Sequence, residues 1–247
     1  MAARETDPNK MSFLQHLEEL RSRLLRSFIV LVAAFLLAWP VSGRIYDLLV
    51  VPVTENLPEG ARLAYTGLAD PFLLYTKISF FAAIFIGLPY MLLEFWLFVA
   101  PGLYPREKRL AVPFVVVTSF FFFLGAWFAH VVIVPYSVKY FISVGEEGGF
   151  QAVITVKEVF SFVIRMLLAT GAVFELPVLV FFLTRIGILT PAFLWQYFGY
   201  AFFGIWVLAG IITPPDVISM VMVGAPLTLL YLLSIGISWM FVPRAGT

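Results

Sequence analysis

The stretch from Phe160 to Leu183, FSFVIRMLLATGAVFELPVLVFFL, is long and apolar enough to cross a bilayer as a helix. The rest of the chain offers more segments of the same kind. Hydrophobic residues make up 62% of the 247 residues and charged ones 13%, against about 45–50% and about 25% in soluble domains. That excludes an ordinary globular protein and predicts a helical membrane domain. In the middle of the stretch stands Glu175. A carboxylate at that depth costs about 2.5–3.5 kcal/mol on insertion scales. Glu175 is therefore a candidate functional residue, lining a polar cavity or meeting a polar group of a partner. Arg165 is about 15 Å away along a helix, too far to pair with it. Snorkelling to the outer surface accounts for Arg165.

The pattern predicts an all-α integral membrane protein, a single six-span domain over residues 1–247, with spans at about 24–41, 72–98, 110–134, 160–183, 194–212 and 217–241. Ahead of the first span, Ser12 and Gln15 form a capping-box pattern. Leu14, Leu17, Leu20, Leu24 and Leu25 then share one face of an amphipathic helix that lies at the interface before the chain turns inward. This ordered pattern favours an anchor over a cleaved signal peptide. Arg44 to Pro71 reads as a loop of mixed polarity, broken by Pro52, Pro58, Gly60 and Pro71. Pro135 is expected to end the third span and open a second loop reaching Glu158. Pro89 should tilt or kink the second span. No convincing internal repeat is present.

Lys and Arg are unequally shared between the two sides. Arg4, Lys10, Arg21, Arg23, Arg26, Arg106, Lys108, Arg109, Arg185 and Arg244 fall on one; Arg44, Arg62, Lys77, Lys139 and Lys157 fall on the other. The bias predicts both termini in the cytoplasm. The absence of cysteine rules out disulfides and thiol chemistry. His16 and His130 lack metal-ligand spacing, and no nucleophile–base pair is visible, so neither a cofactor, a metal nor an enzymatic activity is expected. A net charge of +1 gives no reason to expect a nucleic-acid partner.

Three further acids stand out. Glu94, beside Trp96 near the end of the second span, reads as a residue reaching the interface through the aromatic belt. Glu19 and Glu107 lie among the cytoplasmic cations. Glu19 has Arg23 at i+4, and Glu107 has Lys108 and Arg109 beside it. Exposed pairs contribute only about 0–1 kcal/mol. The sequence alone leaves surface pairing and ligand binding evenly balanced for these two.

Four motifs then combine. His16-Leu17-Glu18-Glu19-Leu20-Arg21 with Arg23-Leu24, the loop from Phe98 to Arg109 (FVAPGLYPREKR), Phe174-Glu175 with Pro177, and Thr213-Pro214-Pro215-Asp216 occur in order. Together they resemble the TatC family, the central subunit of the twin-arginine protein translocase. Pro105 and Glu94 depart from its pattern, in which a polar or basic residue and a neutral one are expected. The resemblance implies a receptor in a bacterial-type cytoplasmic membrane that uses the proton motive force to export folded proteins. Its partners would be Arg-Arg signal peptides, single-span TatA/TatB-type subunits and the lipid bilayer, with the chain oligomeric inside a receptor complex. Glu19 and Glu107 would bind the arginines, supported by Arg21, Phe98, Tyr104 and Arg109. Glu175 would dock single-span partners. Pro52, Phe72 and Asp216 would belong to the outer caps. The alternative is a proton-coupled small-solute transporter relaying through Glu175 and Glu94.

Overall fold

The computed structural model describes residues 13–58, 61–99, 111–150, 153–213 and 216–241. Among them the chain is helical, with one isolated bridge between Ala64 and Thr155. Five helical segments are long and apolar enough to cross a membrane: Gln15–Thr54, Asp70–Phe98, Val112–Glu147, Val156–Arg185 and Val217–Phe241. The expected fifth span is represented by the shorter apolar helix Phe198–Ile212. At about 1.5 Å per residue it falls short of a hydrocarbon core about 30 Å thick.

Helix α1 runs without interruption from Phe13 to Ala38. The expected turn between the interfacial segment and the first span is absent. No Gly or Pro occurs between Phe13 and Trp39, so nothing in the local chemistry stops the helix. A 3-10 turn at Trp39–Val41 leads to α2, Ser42–Thr54. That helix replaces the first half of the expected loop, with Pro52 inside it. Helix α3 spans Asp70–Val99 and contains Pro89.

Helix α4, Ala111–Phe128, passes through a π-helical turn at Ala129–Ile133 into α5, Val134–Glu147. Pro135 thus does not end the third span. A proline cannot donate to the carbonyl four residues back and crowds it; the widened turn ahead of Pro135 accommodates both effects. Helix α6, Val156–Phe174, is followed directly by α7, Leu176–Arg185. The break falls at Glu175, because Pro177 removes the amide that Val173 would need. Helices α8, Pro191–Gln196, α9, Phe198–Ile212, and α10, Val217–Phe241, complete the chain.

By its contacts the chain divides into two compact units. The first joins Met1–Pro40 to Ser79–Val116. Its buried side chains include Ala34, Ala38, Ala83 and Trp96, the last stacked on Phe114 with ring centroids 4.3 Å apart.

The second unit joins Val41–Ile78 to Val117–Thr247. Here α10 packs along α7 and α9, and α2 packs on α5 and α6. Small and hydroxyl residues let these helices approach, as is usual where lipid removes the hydrophobic drive between spans. Thr184 and Ser238 hydrogen-bond at 2.9 Å between α7 and α10. The Ser219 hydroxyl donates to that of Ser137 at 3.1 Å, joining α10 to α5. Gly125 and Gly171 bring α4 and α6 together. A Cβ at Gly125 would lie 2.7 Å from the Phe174 ring, and one at Gly171 would lie 3.0 Å from that of Phe122.

Candidate functional site

Glu19 and Arg23 lie one turn apart on α1, and Tyr90 and Glu94 one turn apart on α3. Helical spacing puts each pair on a single face. The guanidinium of Arg23 joins them. Its Nε donates to Glu19 Oε1 at 3.0 Å, its Nη2 donates to the same oxygen, and its Nη1 donates to Glu94 Oε2 at 2.8 Å. Tyr90 donates its hydroxyl to the other oxygen of Glu94 at 2.8 Å. Arg26 Nε lies 3.5 Å from that same oxygen, its side chain half exposed.

Glu94 is only 4% exposed and Trp96 only 1%. Both side chains are enclosed by protein, whereas the sequence expectation has them reaching the interface. A buried carboxylate persists when it is paired and its lone pairs are filled. Arg23, Tyr90 and Arg26 do this for Glu94.

Glu19 is different. Its Oε1 accepts both bonds from Arg23, while Oε2 is buried without a hydrogen-bond partner among the described residues. The nearby imidazole of His16 has Nδ1 3.8 Å from Oε2, beyond hydrogen-bonding reach. That ring stacks on Phe98, with centroids 4.3 Å apart and planes inclined by 13°. Glu19, Phe98 and His16 are thus gathered in one place. Arg21 points outward, exposed, beside a groove lined by Leu17, Leu20, Leu24 and Phe28. Tyr104, Glu107 and Arg109 lie outside the described residues. Helical spacing showed Arg23 as a neighbour of Glu19. The contribution of Glu94 and Tyr90 was hidden, because 71 residues separate Glu94 from Arg23.

The remaining candidates belong to the second unit. Glu175 caps the C-terminal end of α6. Both carboxylate oxygens are buried without a hydrogen-bond partner among the described residues. Pro52 is buried in α2, and Phe72 is 63% exposed at the start of α3. Asp216 caps α10: its Oδ1 accepts from the Ser219 amide at 2.7 Å. Among the described residues, no group of three or more His, Asp or Glu side chains could hold a metal ion.

Known proteins share the sequence and the fold of this chain. Residues 15–226 match the family model described as TatC, Sec-independent protein translocase protein. The chain is 38% identical to the TatC protein of Desulforapulum autotrophicum over 229 residues, covering 93% of this chain and 84% of that one. It is 40% identical to the TatC of Campylobacter jejuni over 221 residues, covering 89% and 90% respectively. A crystal structure of the twin-arginine translocase receptor TatC superposes with a TM-score of 0.79 at 31% identity. The match covers 92% of this chain and 99% of that one. The chain is a multi-pass membrane protein and belongs to the TatC family of Sec-independent protein translocases.

Proposed function

We propose that this chain is the receptor and core subunit of a twin-arginine translocase, binding Arg-Arg signal peptides at the cytoplasmic face of a bacterial cytoplasmic membrane. The observation that carries the reading is the state of Glu19. One oxygen already accepts two bonds from a guanidinium, and the other has no hydrogen-bond partner among the described residues. A guanidinium suits such an acceptor better than an ammonium, because it is planar, permanently charged and donates in a fork. Glu107, supported by Tyr104 and Arg109, supplies the second acid, while Phe98 and His16 form an aromatic wall beside the first. Arg21 on the exposed face holds α1 at the cytoplasmic surface. The excess of Lys and Arg on that side supports both termini facing the cytoplasm.

Glu175, whose carboxylate has no hydrogen-bond partner among the described residues, docks a polar group of a single-span partner subunit of the TatA/TatB type. The chain recruits these subunits and the proton motive force drives export of folded precursors; it performs no catalysis itself. Pro52, Phe72 and Asp216 shape the outer caps. The small-solute relay gains no support, since both Glu94 oxygens are engaged by Arg23 and Tyr90.

The decisive experiment titrates the purified full chain in detergent with a peptide carrying Arg-Arg and with the same peptide carrying Lys-Lys. The Arg-Arg peptide should bind more tightly. Glu19→Ala should weaken it by about 10- to 150-fold, the equivalent of a charged hydrogen bond of about 1.5–3 kcal/mol. Equal binding of both peptides, unaffected by Glu19→Ala, rejects the reading.

A further inference from the structure

We propose that Glu94 is a positioning residue for the twin-arginine site, acting through Arg23 to keep Glu19 able to accept an incoming guanidinium. This rests on the receptor reading above and adds a residue that touches no peptide.

Arg23 lies one turn after Glu19 and is the natural partner to neutralise it. An acid fully answered by its own helix would have little attraction left for a peptide arginine. The geometry opposes that outcome. Nη1 of Arg23 is drawn to Glu94 at 2.8 Å, so its donors are divided between two carboxylates. Tyr90 fixes Glu94 from the other side. All of the Arg23 bonding to Glu19 falls on Oε1, and Oε2 has no hydrogen-bond partner among the described residues. The guanidinium is thus held at one edge of Glu19 instead of spanning both oxygens.

Charge points the same way. Glu19, Arg23, Glu94 and Arg26 form a cluster of two acids and two bases. Without the Glu94 charge the cluster becomes positive where a doubly cationic ligand must arrive. Like-charge juxtaposition opposes binding and reduces the encounter rate. Arg26 is half exposed, so water and salt screen it better than Arg23. Arg23 therefore carries most of the unfavourable effect once Glu94 is neutralised.

The test uses the full chain in detergent and the Arg-Arg and Lys-Lys peptides, titrated against native protein, Glu94→Gln, and Glu94→Gln combined with Arg23→Gln. Glutamine is isosteric and its carbonyl still accepts one bond, so the first variant removes charge while keeping shape. Affinity of Glu94→Gln for the Arg-Arg peptide should fall on the order of tenfold. The double variant returns the cluster to neutrality and should regain affinity to within about threefold of native. A purely structural Glu94 would make the double variant as weak as the single one or weaker; that result overturns the inference, as does unchanged binding by Glu94→Gln. If Glu94→Gln alone does not fold, the double variant decides: near-native affinity supports the inference and lost affinity rejects it. Failure of the native chain to prefer Arg-Arg would instead strike at the receptor reading.

Discussion

His130 supplies the hydrogen bond that Pro52 cannot make. Pro52 lies inside α2, where the carbonyl of Leu48, four residues earlier, would normally receive its amide. His130 Nε2 sits 2.9 Å from that oxygen. The acceptor is a carbonyl, so the nitrogen facing it carries the proton. His130 belongs to the π-helical turn. One helical irregularity therefore repairs another within the second unit.

His130→Phe should destabilise the protein by about 0.5–1.5 kcal/mol, the net contribution of one hydrogen bond. In a Pro52→Ala background the amide is restored and the same change should cost clearly less. Unfolding of the four proteins in detergent measures this coupling; strictly additive effects would show that the two residues act independently.

Gly125 should not tolerate a methyl group. A Cβ there meets the Phe174 ring at 2.7 Å and the Thr170 carbonyl at 2.8 Å, and the second is backbone. Gly125→Ala should cost about 1–3 kcal/mol by overpacking. Gly199→Ala is the control, since nothing lies within 4 Å of its added Cβ. Equal melting temperatures for the two variants would contradict the close crossing of α4 and α6.

How far the sequence could be read depended on whether the cause was local. Helix α10 occupies the expected 217–241, because a long apolar run with a hairpin before it leaves few choices. The break at Glu175 and Pro177 was visible as a motif but not as a capped helix end. Helix α2 reads as loop in the sequence because Pro52 is a helix breaker on its own; its rescue by His130 comes from 82 residues along the chain. Glu94 was misplaced for the same reason. A lone acid near a span end looks interfacial until its buried partner, Arg23 on another helix, is known. Glu175 stands out because an acid within lipid has few structural explanations; Glu19 does not, since a surface pair with Arg23 explains it as well, and only the family resemblance singles it out.

The termini and the Arg106–Arg109 loop should face the cytoplasm, with Glu55 and Glu147 on the outer side. The Lys and Arg distribution predicts this orientation. Single cysteines can be placed without background, since the chain has none. Glu147 is exposed at the end of α5 and is a suitable position. An impermeant thiol reagent should reach a cysteine there from outside intact cells. Labelling only after the cytoplasmic face is opened would invert the topology.

Glu175 should be required for transport and dispensable for signal-peptide binding. Its two buried oxygens have no hydrogen-bond partner among the described residues, although the cost of burying them is high. A polar group on a docking subunit would satisfy them. Hydrogen bonds between spans contribute about 0.6–2 kcal/mol, enough to bias docking while leaving it reversible. Glu175→Gln keeps an acceptor and should retain part of the docking. Glu175→Leu removes every polar atom and should abolish it, while the Arg-Arg peptide still binds with native affinity. Crosslinking of a single-span subunit to α6 and α7, run beside the peptide titration, separates the two effects. Normal crosslinking and normal export by Glu175→Leu would reduce Glu175 to an unpaired buried acid with no part in recruitment.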